Sequence, residues 1–446
     1  MTDPDGQPTT RISRRALVRA GAALGAAPLL AACGQNTTGA KAGSNTLSLL
    51  STQHTPTKEA DAFRQILKAA DPSLTVNFNP GDTATTISQV KAQVQARSVR
   101  VNAFLGIHSD LSTLGPDNLA DVSGLVSEIG SAGISAGNVT LSKIGTDKNY
   151  YVPLEQATYL LAVNKKALGW LPAGADVNSL TYDQLLAWAK AGKAANGGKA
   201  VFGLPAGPKG LLHRFTQGYL YPSFTGGLVT TFRSPDAVTA WQYFKELWSV
   251  TLPASTNVDF MQEPLASGQV LIGWDHVARL VDAPRDKPDD WLMVPAPQGP
   301  KARGYLAILN GIGIVKGSPD QDRTRQLIKA LVKPEVQLDI LRKLAFFPTV
   351  RAAVPADLPP AIKLESQAVT RTQTGGLLSL PSVGMGASDS KFTKVFQNCF
   401  TAIVLGNAGI QQTLDAQAKT MQQLITDANA RCWVPDPQSS GPCQVG

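Results

Sequence analysis

Thr46-Leu47-Ser48-Leu49-Leu50-Ser51, then Thr55-Pro56, then Ala60, Phe63, Ile66, Leu67 and Ala70, then Asp71-Pro72: the fold is decided in this run. The first six residues read as a short apolar strand. Thr55 and Pro56 read as an N-cap and a first helical residue. The apolar positions after them recur at helical spacing, and the helix stops before Asp71-Pro72 because proline pushes its predecessor out of the helical region. The unit then repeats. Leu74–Phe78 is a second strand, Asn79-Pro80-Gly81-Asp82 a turn, Ile87, Val90 and Val94 the face of a second helix, and Val101–Ile107 a third strand. Strands alternating with helices predict an α/β fold, its parallel or mixed sheet covered on both faces. About 410 residues follow Cys33, more than one hydrophobic core usually holds, so two lobes are expected.

In open α/β sheets, ligands bind beyond the carboxyl ends of the strands, where loops lead into helices. The corresponding loops are Gln53-His54-Thr55, Gly81-Asp82-Thr83 and His108-Ser109-Asp110. His54, Asp82, His108, Ser109 and Asp110 are therefore candidate ligand contacts. The same residue types also serve as plain caps and turns.

The chain begins with an address. Arg14 and Arg15 precede an Ala/Gly-rich apolar run, Ala16–Ala32, which Arg19, Gly21 and Gly25 interrupt. A bilayer-spanning helix needs about 20 apolar residues, so this run is too short and too weakly apolar. Ser13-Arg14-Arg15-Ala16-Leu17-Val18-Arg19 resembles a twin-arginine export signal, and Leu30-Ala31-Ala32-Cys33 resembles a bacterial lipobox. Cys33 is the expected lipidation site, carrying acyl chains such as palmitate and anchoring the chain to the outer face of the cell membrane. Residues 34–45, rich in Gly, Thr, Asn and Ser, read as a flexible tether with slack on the order of 20 Å.

Net charge is +8, of which the leader's arginines, net of Asp3 and Asp5, account for two. No long Lys/Arg run occurs, so no nucleic-acid partner is expected. The positive balance leans toward a phosphate-bearing ligand. With Cys33 assigned to lipid, Cys399, Cys432 and Cys443 remain, and three cannot all pair. Cys432 with Cys443 is the nearest pair, closing a Pro/Ser/Gly-rich tail; Cys399 with Cys432 stays open beside it. Neither C-x-x-C nor a Cys/His cluster occurs, so no metal and no other cofactor is expected.

Further along stands Tyr150-Tyr151-Val152-Pro153-Leu154-Glu155-Gln156-Ala157-Thr158-Tyr159, ending in Val163-Asn164-Lys165. Here the chain resembles the extracellular solute-binding proteins of ABC importers, of the maltose-binding type. The resemblance rests on Tyr151-Val152-Pro153 and Val163-Asn164-Lys165, then on further blocks in the same order. Leu180–Leu185 resembles a helix start after a turn. Gly226-Gly227 and Phe232-Arg233-Ser234-Pro235-Asp236-Ala237 resemble a glycine pair and a Ser-Pro-capped helix, with Val238, Trp241, Phe244, Leu247 and Trp248 on its apolar face. Glu263–Trp274, Val294–Pro300, Asn310–Ile314, Asp320–Val332 and Phe347–Thr349 follow, and a C-terminal helix carries Leu414, Ala418, Met421, Leu424, Ile425 and Ala428. The resemblance covers roughly residues 46–430.

It implies a two-lobed periplasmic-binding-protein-like fold of type II, with hinge-linked lobes and one ligand in the cleft between them. Lobe 1 is expected over 46–153 and 305–350, lobe 2 over 154–304 and 351–432, with a tail over 433–446. Hinge segments are expected near Pro153–Gln156, Pro297–Arg303 and Phe346–Val350. A sugar offers hydroxyls and an apolar face, which aromatic, acidic and amide side chains can grip. Tyr151, Glu155, Tyr219, Tyr221, Trp274, Asp275, Tyr305, Asn310, Gly311 and Arg351 join the candidates on that ground, Trp274 and Tyr305 foremost.

The resemblance further implies a monomer that hands a sugar, or a sugar-like polyol phosphodiester such as a glycerophosphodiester, to ABC permease subunits and breaks no bond. An exported lipoprotein hydrolase of envelope esters or glycans is the alternative from another class, and a ligand-free adhesion or sensory lipoprotein a third. For catalysis the sequence offers little. His54, His108, His213 and His276 are scattered, and no phosphate-binding loop occurs. Gly133-Ile134-Ser135-Ala136-Gly137 fits a G-x-S-x-G nucleophile elbow, but its flanks read as loop rather than strand and helix.

Overall fold

The computed structural model describes residues 46–446 apart from Val354. The export signal, Cys33 and the tether fall outside the described residues. Twelve strands are described: β1 Thr46–Ser51, β2 Thr75–Pro80, β3 Ala103–Ile107, β4 Val152–Ala157, β5 Tyr159–Asn164, β6 Phe202–Gly203, β7 Ile272–His276, β8 Trp291–Val294, β9 Gly304–Leu306, β10 Ile308–Ile314, β11 Phe347–Pro348 and β12 Leu377–Ser379. The first sheet runs β11-β4-β10-β3-β1-β2, the second β6-β7-β5-β8, and β9 pairs with β12.

In the first sheet β1, β2 and β3 are parallel, as the opening strand–helix alternation predicts. The helix Thr57–Ala70 buries Ala60, Phe63, Ile66 and Leu67. It begins one residue later than expected: Pro56, with extended backbone, is its cap, and no side chain caps it. Pleating sends alternate side chains to opposite faces. Leu47, Leu49 and Leu105 join Phe63, Ile66 and Leu67 in one cluster, while Leu50 and Phe104 join Ile87, Val90 and Leu111 in another. Each large apolar side chain so buried contributes about 1.5–3 kcal/mol. Both faces of the sheet are thus covered.

In the second sheet β5 pairs antiparallel with both β7 and β8. A capping box formed by Thr181 and Gln184 starts the helix Tyr182–Ala195. Ser234 Oγ accepts from the Ala237 N–H and Pro235 opens the helix Pro235–Ser249, whose Trp241, Phe244 and Leu247 are buried. Two π-helical segments, Thr216–Leu220 and Phe400–Leu405, interrupt longer helices of this half.

The chain passes between sheets at three places: from β4 to β5, from β9 to β10, and beyond β11. Thr158 ties the first two, for its hydroxyl donates to Leu306 O at 2.7 Å and lies 2.9 Å from Tyr219 Oη. The third is tied by Thr349 Oγ1 donating to Pro153 O and by Gln156 Nε2 donating to Pro348 O.

The C-terminal tail is fastened to the second half. Cys432 and Cys443 are disulfide-bonded, and Cys399 is a free, buried thiol that burial pushes up to about 12. Inside the closed loop, the buried Asp436 carboxylate accepts the N–H groups of Leu228, Val229 and Thr230 and the Thr230 hydroxyl. Among the described residues no helix is long and apolar enough to cross a membrane.

Candidate functional site

Sheet register brings together a first, polar group of candidate residues, a candidate wall. Asn310 on β10 faces Ile107 on one side and Glu155 on the other, and Glu155 faces Pro348. One row across the sheet therefore carries Glu155 and Asn310 level with the carboxyl end of β3. Both are fully buried. Glu155 Oε1 accepts from Asn310 Nδ2 at 2.8 Å and lies 2.8 Å from His54 Nε2. His54 comes from the loop after β1, held there by a left-handed backbone (φ 54°). Each member keeps a second polar atom that is buried without a protein partner: Glu155 Oε2, Asn310 Oδ1 and His54 Nδ1. Orphaned buried polar atoms are costly, and three converging ones mark a place where a polar ligand's hydrogen bonds fit.

The neighbouring loop adds to this wall. Thr52 Oγ1 donates to Asp110 Oδ2, and Ser109 Oγ is a further buried orphan. Burial pushes the Asp110 carboxyl up to about 6; the Thr52 hydroxyl opposes that rise, nearby Asp389 adds to it and Arg214 counters it. Asp389 and Arg214 belong to the other half, to which the helix His108–Asn118 lies close. His108 Nδ1 pairs with Tyr151 Oη at 2.8 Å, and burial lowers the imidazole to about 4. Gly311 is required beneath them, because a Cβ there would stand 2.1 Å from the Tyr151 ring.

A second candidate wall is aromatic and packed into the core. Tyr159 stacks on Trp274 at 4.6 Å, and Phe215 and Tyr219 meet Trp274 edge-on. Tyr159 also meets His276 edge-on, His276 packs against Phe346, and Phe346 against His54. Rings thus run unbroken from one half to the other. Burial lowers His276 to about 3, with Arg214 and His54 adding to the effect, so its ring is neutral at pH 7; Nδ1 accepts the Ala278 N–H, which leaves Nε2 as the donor. Arg214 Nε, Gln217 Nε2 and Trp274 Nε1 are buried orphans on this side. Asp275 accepts the Met261 and His276 N–H groups while burial pushes it up to about 7.

Other sequence candidates stand elsewhere. Asp82 is an exposed N-cap that accepts the Thr85 N–H. Tyr219 spends its hydroxyl on Thr158 and on the Tyr159 backbone. Tyr221 is buried, donating to Phe232 O. Tyr305 is half-buried on β9, against Gly376. Arg351 is exposed and lies over the Gly133 turn. Ser135 caps the helix Ala136–Leu141 through the Asn138 N–H, with a short helical turn rather than a strand before it, so no nucleophile elbow forms. No group of metal-binding side chains occurs among the described residues.

Thr52, Tyr159, Arg214, Gln217, His276 and Phe346 escaped the sequence reading. His276 and Thr52 follow the same signal as His54, the residues just past a strand's carboxyl end. Arg214 and Gln217 carry no such signal, since they lie in irregular helix that no strand leads into directly.

Two α/β halves joined by three crossings of the chain have the fold of the two-lobed binding proteins of type II. The chain belongs to the bacterial extracellular solute-binding protein family, whose sequence profile matches residues 51–338. No curated protein matches it. Solved structures share its fold. The GacH receptor of Streptomyces glaucescens superimposes with a TM-score of 0.69 at 15% identity, over 86% of this chain and 98% of that one. Maltose-bound MalE3 of T. maritima gives 0.68 at 19% identity, over 85% and 99%. UgpB from Mycobacterium tuberculosis, in complex with glycerophosphocholine, gives 0.69 at 16% identity, over 86% and 98%.

Proposed function

We propose that this chain is the lipid-anchored, solute-capturing component of an ABC importer, and that its solute is a neutral sugar or oligosaccharide. The observation that carries this reading is the set of orphaned buried polar atoms on Glu155, Asn310, His54 and Ser109, joined through Phe346 to the rings of His276, Tyr159 and Trp274. A sugar's hydroxyls satisfy the first group and its apolar ring face lies on the second. Ligand contact with both walls stabilises the closed population. Among the similar structures, GacH is found in complex with acarbose, MalE3 with maltose and UgpB with glycerophosphocholine.

Charge in the cleft argues for the neutral solute over a phosphodiester, against the lean of the net charge. Asp110 stands near Asp389 and is countered by the Arg214 guanidinium, Glu155 and Asp275 add two further carboxyls, and burial holds His108 and His276 neutral. A phosphate would face an acidic surplus. The hydrolase reading finds no support, since Ser135 is a helix cap.

The test is a thermal-shift and calorimetric screen of the chain from Gly34 onward. Mono- and oligosaccharides form one arm, glycerophosphocholine the other. A sugar is expected to raise the melting temperature and Glu155→Gln to remove most of that rise. A shift by glycerophosphocholine alone would move the assignment to phosphodiesters, and no shift by either would overturn it. Membrane fractionation of wild type and Cys33→Ser in cells tests the anchor: the variant is expected in the soluble fraction.

A further inference from the structure

Two charged pairs bridge the lobes along one rim of the cleft. Lys58 and Glu59 lie in the first turn of the helix Thr57–Ala70, which leaves the loop that carries His54. Arg279 and Asp282 follow β7, three and six residues past His276. The Glu59 carboxylate accepts from Arg279 Nη1, and Lys58 Nζ donates to Asp282 Oδ1 at 3.3 Å.

The two pairs differ in shielding. Arg279 and Glu59 side chains are 17% and 14% exposed, whereas Lys58 is 70% exposed. Arg279 also lies over the Phe260 ring, 4.9 Å from its centroid. Burial lowers its guanidinium to about 10, with Asp282 opposing, which leaves it charged at pH 7. An arginine pinned on an aromatic face gives up little further freedom on meeting a carboxylate. Glu59, in a helix's first turn, is favoured where it stands by the helix dipole. The inner pair is therefore pre-arranged on both sides, and the outer pair is a solvated rim contact worth less.

Phe346 packs against both His54 and His276, and the latching residues lie within one or two helical turns of these histidines in sequence. Opening the cleft has to separate both pairs. We propose that Glu59–Arg279, assisted by Lys58–Asp282, is a cross-lobe latch that holds the cleft shut, with Arg279 a positioning residue that governs how long a captured solute is retained. The capture reading enters only in what the cleft holds; the latch itself is testable without any solute.

The experiment is small-angle scattering of the ligand-free chain from Gly34 onward, comparing wild type, Glu59→Arg, Arg279→Glu and the double charge swap. Each single change is expected to shift the closed-to-open ratio by about fivefold or more and to raise the radius of gyration. The swap, which restores the opposite charges but loses the helix-dipole and Phe260 support, is expected to return it part of the way toward the wild-type value, which a merely structural role for Arg279 would not do. High salt is expected to expand wild type more than Glu59→Gln. Should Arg279→Glu fail to fold, Glu59→Gln, which alters only a first-turn side chain, carries the same expectation of expansion. Wild type already as expanded as the single variants overturns the latch, as does a folded swap no more compact than they are. So does a Glu59→Gln protein as compact as wild type.

Discussion

The two candidate walls are made by different physics. On the first, sheet register sets Glu155 and Asn310 side by side, and a left-handed turn brings His54 onto the same carboxylate. Its contacts are directional hydrogen bonds, each tied to a strand position. On the second, Trp274 is held by packing against Tyr159, Phe215 and Tyr219. Such contacts are large in area and weak in direction. A polar wall discriminates between solutes, because a missing hydroxyl leaves a buried partner unpaired, while an aromatic wall rewards any flat apolar face. The difference predicts that variants on the aromatic side fail through stability and variants on the polar side fail through affinity.

The largest effect tests the aromatic side. Trp274 is fully buried, and Trp274→Ala empties the centre of a ring cluster. It is expected to cost about 3–5 kcal/mol of stability, read by urea unfolding. Trp274→Phe keeps most of the volume and should cost much less. If Trp274→Phe instead leaves stability near wild type and removes sugar binding, the orphaned indole N–H is a ligand contact and the contrast between the walls breaks.

Next comes Glu155→Gln. The change is nearly isosteric and leaves the sheet intact, but it weakens the acceptor shared by His54 and Asn310. Affinity for the best sugar is expected to fall about 10- to 100-fold, with a melting temperature shifted by only a few degrees. Isothermal calorimetry beside a thermal melt separates the two. A large loss of stability with affinity preserved would make Glu155 a scaffold residue.

These residues also show how far the sequence could be read. The lobe-1 wall was legible, because a short apolar strand announces its own carboxyl end; His54, His108, Ser109 and Asp110 were all reached that way. Glu155 and Asn310 needed the family resemblance, since their adjacency comes from antiparallel register between segments far apart in the chain. Much of the second wall was not legible. Trp274 was noticed, but its aromatic neighbours Tyr159 and Phe215 look like ordinary core residues in sequence. Arg214 stands next to a π-helical segment that no apolar period marks. Contacts between lobes, such as Glu59 with Arg279, depend on tertiary placement and leave no local trace. The α/β class and the two lobes followed from pattern and length, because helical and strand periods repeat along the chain.

Both halves carry buried carboxyls raised above their ordinary values, Asp275 and Glu365 together in the second, and this gives a pH comparison. Asp110 in the first half is pushed up to about 6, and Asp275 in the second up to about 7. A raised acid holds its proton in the folded state after the unfolded chain has lost it. Stability from Asp110 is therefore greatest at low pH, and it is lost as pH rises from about 4 through about 6. For Asp275 the window extends to about 7. Stability should rise as pH falls from 7 to 5, and Asp110→Asn should remove part of that rise, on the order of 1–2 kcal/mol. Urea midpoints at a series of pH values check this. A slope identical in Asp110→Asn and wild type would mean that Asp110 is not the group responsible.

The smallest effect concerns Asp82, which the strand-end argument nominates as strongly as it nominates Asp110. Both follow parallel strands of one sheet, and both lie in polar turns leading into helices. Their surroundings differ. Asp110 is buried and hydrogen-bonded to Thr52, whereas Asp82 is exposed and accepts the Thr85 N–H at the start of the helix Thr83–Gln95. The cap itself lowers the Asp82 carboxyl, chiefly through the Thr85 backbone hydrogen bond. An N-cap aspartate replaced by alanine typically costs about 0.5–2 kcal/mol, and an exposed one belongs at the low end. Asp82→Ala is thus expected to lower the melting temperature slightly and leave sugar affinity within about twofold of wild type. A tenfold loss of affinity would place Asp82 in the cleft and extend the polar wall by one more strand end. An unchanged affinity confines that wall to β1, β3, β4 and β10, the strands on which Glu155, Asn310, His54 and Asp110 are held or which lead into them.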